Sequence, residues 1–132
     1  MPDATPQLVL QRIRNQIIEN LGALASFDEQ RQYGQRVPIC FVPYELINDW
    51  ADLMNSPRPP HFTEPVFSSQ ERDAIEQFYP HWRDAVDALP EDYPALEELL
   101  NAPYWVRLGD AARHALAVFL IRGRLPDDAE AP

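Results

Sequence analysis

The fold turns on Ser68–Leu89, SSQERDAIEQFYPHWRDAVDAL. Ser68 and Glu71 have capping-box spacing, in which each side chain accepts the other residue's orphan backbone N–H. Behind that start, Ile75, Phe78, Tyr79, Trp82, Val86 and Leu89 recur in helical phase. Pro80 interrupts them. An interior proline removes one hydrogen bond and clashes with the preceding turn, at a cost of about 3 kcal/mol. Because the apolar phase is kept across Pro80, the stretch is expected to be one bent helix to about Leu89. A break at Pro80 is the alternative.

Outward from this helix the chain reads as helical segments punctuated by fourteen prolines. A first helix is expected over about Gln7–Ala25. Val9, Leu10, Ile13, Ile17, Ile18, Leu21 and Leu24 form its apolar face, and Arg12, Asn15, Gln16 and Glu19 its wet face. Ser26 and Glu29 repeat the capping-box spacing and open a short helix to Tyr33, with Gly34 as its stop. Residues 37–43, VPICFVP, are extended, since each residue before a proline is pushed out of the helical region. No second strand exists to pair with them, so they read as a buried connector. Pro43 suits the first turn of a third helix to about Met54. A proline-rich loop, residues 55–67, follows. Pro94 opens a short helix to about Asn101. Pro103 opens the last, which ends near Gly123 and is apolar on all sides over Ala115–Ile121. The expected fold class is therefore all-α: an irregular single-domain bundle of five or six helices over residues 1–126, with one extended connector (37–43). Residues 127–132 are expected to form a flexible acidic tail.

Composition sets further bounds. The chain has 132 residues, 45% of them hydrophobic and 24% charged, which is globular rather than disordered. Cys40 is the single cysteine, so no internal disulfide and no multi-cysteine metal site can form. Set among Ile39, Phe41 and Val42, it reads as a buried hydrophobe and not as a nucleophile. His81 with Asp84 and Asp110 with His114 share helix faces, but no metal-binding signature surrounds either pair. Ser68 and Ser69 lack a nucleophile-elbow context. Four scattered glycines cannot cradle a phosphate. No catalytic residue, metal or cofactor is expected, and the chain does not read as an enzyme. No apolar run is long enough to span a membrane, and no export signal is visible, so a cytoplasmic setting is expected.

The charge pattern carries the functional reading. The net charge is −10, and every basic residue is arginine. Between Glu45 and Glu98 there are thirteen acids and three arginines, so that segment alone holds −10 and the rest of the chain is neutral. Such a field repels nucleic acid and anionic lipid and speeds encounter with basic proteins. Glu45, Asp49 and Asp52 make a stripe on the third helix. Asp73, Glu76, Asp84 and Asp87 make another on the fourth, partly blunted by Arg72 and Arg83 at i,i+4 spacing. Glu91 and Asp92 follow. These nine residues are the candidate partner-binding set, with an exposed tyrosine among Tyr33, Tyr44, Tyr79, Tyr93 and Tyr104 as an apolar anchor.

Small, acidic and helical, the chain resembles bacterial immunity proteins that neutralise a cognate toxin. The tracts Ile13–Tyr33 (IRNQIIENLGALASFDEQRQY) and Val42–Trp50 (VPYELINDW) are similar to tracts of small bacterial proteins. The resemblance implies a bacterial source and a basic toxin domain, such as a nuclease, as the protein partner. No nucleic acid or membrane would be bound. A housekeeping adaptor or scaffold subunit, or a homodimer, is the alternative.

Overall fold

Six α-helices and no strand form among residues 4–37, 41–55, 59–92 and 94–131, the part of the chain that the computed structural model describes. The expected all-α bundle is what the chain makes. The helices are α1 (Pro6–Ala25), α2 (Phe27–Arg36), α3 (Val42–Leu53), α4 (Ser69–Ala88), α5 (Leu96–Leu100) and α6 (Pro103–Leu120).

Their starts follow local chemistry. Thr5 caps α1 by accepting from the Leu8 amide at 3.2 Å. Ser26 caps α2 by accepting from the Glu29 amide, also at 3.2 Å. The full capping box appears at α4, where the Ser68 hydroxyl and the Glu71 carboxylate each accept the other's N–H at 3.1 Å. Proline occupies the first turns of α1, α3 and α6, where its missing N–H costs nothing.

α4 runs unbroken through Pro80. Pro80 and Glu76 both lie on the exposed face. The carbonyl that loses its helical partner is therefore on the wet side, where water replaces the bond. Gly123 adopts φ 74°, and its N–H reaches the Phe119 carbonyl at 3.0 Å, closing α6 as a glycine stop does.

Other boundaries moved. α2 passes Gly34 and ends at Arg36, with Val37 as its cap. At Gly34 the helix simply continues, and a Cβ there would be in ordinary van der Waals contact with Leu96 at 3.5 Å. Of the expected connector, Phe41 is extended and Val37 is neither helical nor extended, while Val42 and Pro43 already belong to α3. The centre of the expected connector, with Cys40, lies outside the described residues, as does Tyr93.

α6 is the central helix and packs against both α1 and α4, while α3 rests on α1. Its buried stripe is Trp105, Leu108, Ala112, Ala115 and Phe119. Leu120 and Ile121 fall off that stripe and point outward, Ile121 being 75% exposed. A run apolar on all sides over Ala115–Ile121 suggests a core position for both, which the structure does not give them. The apolar run outlasts the helix contacts, because α6 ends where the chain turns back toward α1. α3 and α4 approach through aromatic side chains. The Trp50 and Phe78 rings meet edge-on at 4.6 Å, and Trp82 Nε1 donates to the Ile47 carbonyl at 3.3 Å. The Tyr44 hydroxyl donates to the Pro90 carbonyl. This pairing of early with late residues makes the two helices antiparallel.

Several polar side chains are buried as ties between elements. Trp105 Nε1 donates to Gln30 Oε1 at 3.1 Å, and Gln30 Nε2 donates to the Ala23 carbonyl at 2.9 Å, which locks α2 between α1 and α6. Asn15, expected on the wet face of α1, is buried. Its amide group donates to the Leu125 carbonyl and Asp127 and accepts from the Leu125 N–H. Gln11 bonds to Pro126, Ala129 and Ala131 in the same way. The segment expected to hang loose is thus laid along α1 in the structure.

Candidate functional site

The nine carboxylates of the candidate set come from three places in the fold. On α3, the core-facing side is marked by Trp50 and Ile47, which meet α4. Asp49 lies one residue back from Trp50, on the flank of Leu46 and Leu53. That flank faces α1. Asp49 and Asp52 therefore border a groove of about 610 Å³ between the two helices, whose α1 side carries Gln16, Glu19 and Asn20. Glu45 lies one turn earlier on the same stripe. Burial, and then the neighbouring charges of Glu45 and Asp52, push the Asp49 carboxyl above the usual aspartate range.

On α4, Asp73, Glu76, Asp84 and Asp87 are exposed on the side opposite buried Phe78. Asp73 and Glu76 border a second groove of about 380 Å³, closed on its other side by Pro59 and Pro60 of the 3-10 turn Pro59–His61. The Arg83–Asp87 pair expected from spacing is present at 3.5 Å. The Arg72–Glu76 spacing gives no ion pair among the described residues, though both side chains line the second groove. The Tyr44–Pro90 bond sets Glu91 and Asp92, both exposed, at the end of α3 that carries Glu45.

The structure thus brings Glu45, Asp49 and Asp52 together and adds Glu19 from α1. It sets Asp73 and Glu76 in a different groove. The aromatic seam of Tyr79, Trp82 and Trp50 runs between the two stripes. Tyr79, stacked on Trp82 at 6.0 Å, is 51% exposed there.

Ion pairing is unevenly shared. Asp87 alone of the nine is in an ion pair among the described residues. Acids outside the set hold five of the six arginines that form ion pairs among the described residues: Glu71 takes Arg14 and Arg122, Asp28 and Glu97 share Arg31, Asp110 takes Arg113, and Glu19 takes Arg124 at 2.7 Å. The Arg31–Glu97 pair, at 2.6 Å, ties α2 to α5 and holds the Glu97 carboxyl below its usual range. Asp110 pairs with Arg113 and not with His114, and Arg113 also donates to the last carbonyl of α1, that of Ala25, at 2.8 Å.

One acid of the mid-chain excess leaves the surface entirely. Glu71 is 1% exposed and receives both Arg14 and Arg122. Its burial is the largest influence on its carboxyl and pushes upward, but hydrogen bonds from the two guanidiniums and the Ser68 amide outweigh it and hold the carboxyl below the usual glutamate range. The capping-box spacing identified Glu71 as a cap; nothing local pointed to the two arginines.

Two more features bear on chemistry. Asn20, in the α1–α3 groove, is 6% exposed, and its Nδ2 donates to the Leu46 carbonyl at 3.2 Å while its Oδ1 has no partner. No group of three or more histidine, cysteine, aspartate or glutamate side chains among the described residues is arranged to hold a metal ion. No helix among the described residues is long and apolar enough to cross a membrane. No family model, curated protein or solved structure matches the chain.

Proposed function

We propose that the protein is a non-enzymatic binding protein of the immunity type, which blocks a basic toxin or nuclease domain with its acidic carboxylates. The polarised ion pairing supports this reading most directly. Arginines neutralise acids at Asp28, Glu97, Asp110, Glu19 and Glu71, while eight of the nine candidate carboxylates carry no ion pair among the described residues. Crowding unneutralised like charges costs stability through self-repulsion. A partner bringing lysine or arginine relieves that cost with charge-assisted hydrogen bonds. A nuclease supplies such groups, because its substrate groove must neutralise phosphates. A standard interface takes about 800 Å² from each side, roughly a tenth of this surface of 7902 Å². Tyr79, exposed beside the acids of α4, supplies apolar area with a polar tip.

The test is capture from a lysate of the source cell on the immobilised chain, at low and high salt, with the partner's charge read by mass spectrometry. A basic polypeptide retained at low salt and released at high salt is expected, since exposed charges are screened. The fourfold variant D49R/D52R/E76R/D84R, checked for helicity, should retain none of it. Equal capture by that variant overturns the reading. The adaptor or homodimer alternative leans on Leu120 and Ile121, exposed at the end of α6. It predicts self-association that rises with protein concentration and ignores salt.

A further inference from the structure

We propose that the groove between α1 and α3 is a seat for a single arginine side chain of the protein partner, with Asn20, Asp49 and Asp52 as its acceptors. The inference rests on the binding reading above and names one contact within it.

Acceptors outnumber donors in the groove, where three carboxylates stand beside the Gln16 and Asn20 amides. The Asp49 and Asp52 carboxylates border it and have no ion pair among the described residues. Asn20 lines it as well. That amide is fixed in orientation, because Nδ2 is committed to the Leu46 carbonyl, and this leaves Oδ1 as a buried acceptor with nothing to accept from. Buried polar atoms are nearly always satisfied, so an orphan one on a side chain that lines a groove points to a donor that arrives from outside. The incoming group must therefore donate hydrogen bonds and carry positive charge.

Among such groups, the geometry favours guanidinium. Its five N–H donors lie in a fixed planar fork and reach several acceptors at once, whereas an ammonium is a compact, strongly hydrated point charge. The apolar walls of the groove, Ile13, Leu46 and Leu53, suit a weakly hydrated plane and an aliphatic stem. At the rim a guanidinium already reaches a lining carboxylate, with Arg124 Nη1 2.7 Å from Glu19.

The experiment is a ¹⁵N NMR titration of the full chain at low salt with three blocked tripeptides, Gly-Arg-Gly, Gly-Lys-Gly and Gly-citrulline-Gly. The arginine peptide should saturably shift the Asn20 side-chain amide and the Asp49 and Asp52 backbone amides. The citrulline peptide should shift none of them. Asp49→Asn should weaken arginine-peptide binding about tenfold, the loss of one charge-assisted contact. The double variant D73N/E76Q should leave it unchanged. Shifts confined to α4, equal groove shifts with the lysine peptide, or unaltered binding by Asp49→Asn would each overturn the seat. None of these outcomes touches the wider binding reading, which fails only if the fourfold charge reversal still captures the partner.

Discussion

Arg14 grips Glu71 from two sides of one carboxylate, with Nε 3.2 Å from Oε1 and Nη2 2.8 Å from Oε2, and neither side chain reaches solvent. The same guanidinium donates to the Phe119 carbonyl at 3.1 Å and to that of Gly123, and lies 5.3 Å from the centre of the Phe119 ring. One side chain of α1 thus ties the start of α4 to the end of α6. Removing one partner of a buried pair strands the other charge, at about 3–5 kcal/mol. Arg14→Met is accordingly expected to lower the unfolding free energy read from urea titration by an amount in that range, with a correspondingly lower midpoint. A midpoint within error of the parent would show that Arg122 alone satisfies Glu71.

Glu71 also sets an acid limit. Its carboxyl lies below the usual 4.5 in the folded chain. The folded state therefore holds the ionised form more strongly than the unfolded state does. The stabilisation is complete above the unfolded value and drains away as pH falls through the folded one. Thermal midpoints measured from pH 7 downward should stay level and then drop below about pH 4.5. In Glu71→Gln the midpoint should start lower, and the drop should flatten over the same window.

Asp49 behaves with the opposite sign. Burial first, then Glu45 and Asp52, raise its carboxyl above 3.8. Ionisation is therefore harder in the folded chain, and the penalty grows as pH rises through the folded value and persists at neutrality. Asp49→Asn should raise the melting temperature at pH 7 and leave it unchanged below the unfolded value. The side chain is exposed, so screening keeps the gain within about 0.5 kcal/mol. A residue that is mildly destabilising in the free chain is what the proposed binding role predicts. A melting temperature lowered by Asp49→Asn would contradict that role.

Much of the bundle is written locally. Ser26, Ser68, Pro43 and Pro103 mark helix starts because caps and first turns involve residues three or four apart. The continuity of α4 through Pro80 is legible because Phe78 and Trp82 stay in phase. The partners of Glu71 are not legible, since they stand 57 and 51 residues away. Asn15 looks solvent-facing on a wheel that omits the chain end lying over it. For the acidic set, the count and the helix stripes can be read off the sequence. Its division between an α1–α3 groove and an α4 groove cannot, because the rotation of α3 is set by Trp50 and Ile47 meeting α4.

Gln11 shows what the chain end contributes. It is fully buried, and all four hydrogen-bonding positions of its amide are used: Nε2 donates to the Pro126 and Ala129 carbonyls, and Oε1 accepts from Gln7 and the Ala131 N–H. Gln11→Leu removes these ties and leaves three of the tail's backbone groups unpaired. Hydrogen exchange at the Ala131 amide should then accelerate to the rate of an unstructured peptide, and protease should trim residues 127–132 first. Unchanged exchange would show that Thr5, Arg12 and Asn15 hold the segment without Gln11.

Gly22 and Gly109 are both helical glycines, and they should respond to alanine with opposite sign. At Gly22, inside α1, a Cβ would meet nothing within 4 Å. Gly22→Ala should stabilise by about 0.5–1 kcal/mol, the helical cost of glycine against alanine. At Gly109, inside α6, the Cβ would sit 3.1 Å from Phe27 Cε1 and 3.4 Å from the Leu24 carbonyl oxygen. The Phe27 ring, itself packed against the core, would have to give by a few tenths of an ångström, and the carbonyl is fixed within α1. Close approach of α6 to the α1–α2 corner therefore depends on the missing side chain. Gly109→Ala should forfeit the propensity gain and lower the melting temperature, and Gly109→Val should cost about 1–3 kcal/mol through overpacking. If Gly109→Ala stabilised as much as Gly22→Ala, the helices would have slack at that contact, and the tight corner would not be what positions α2.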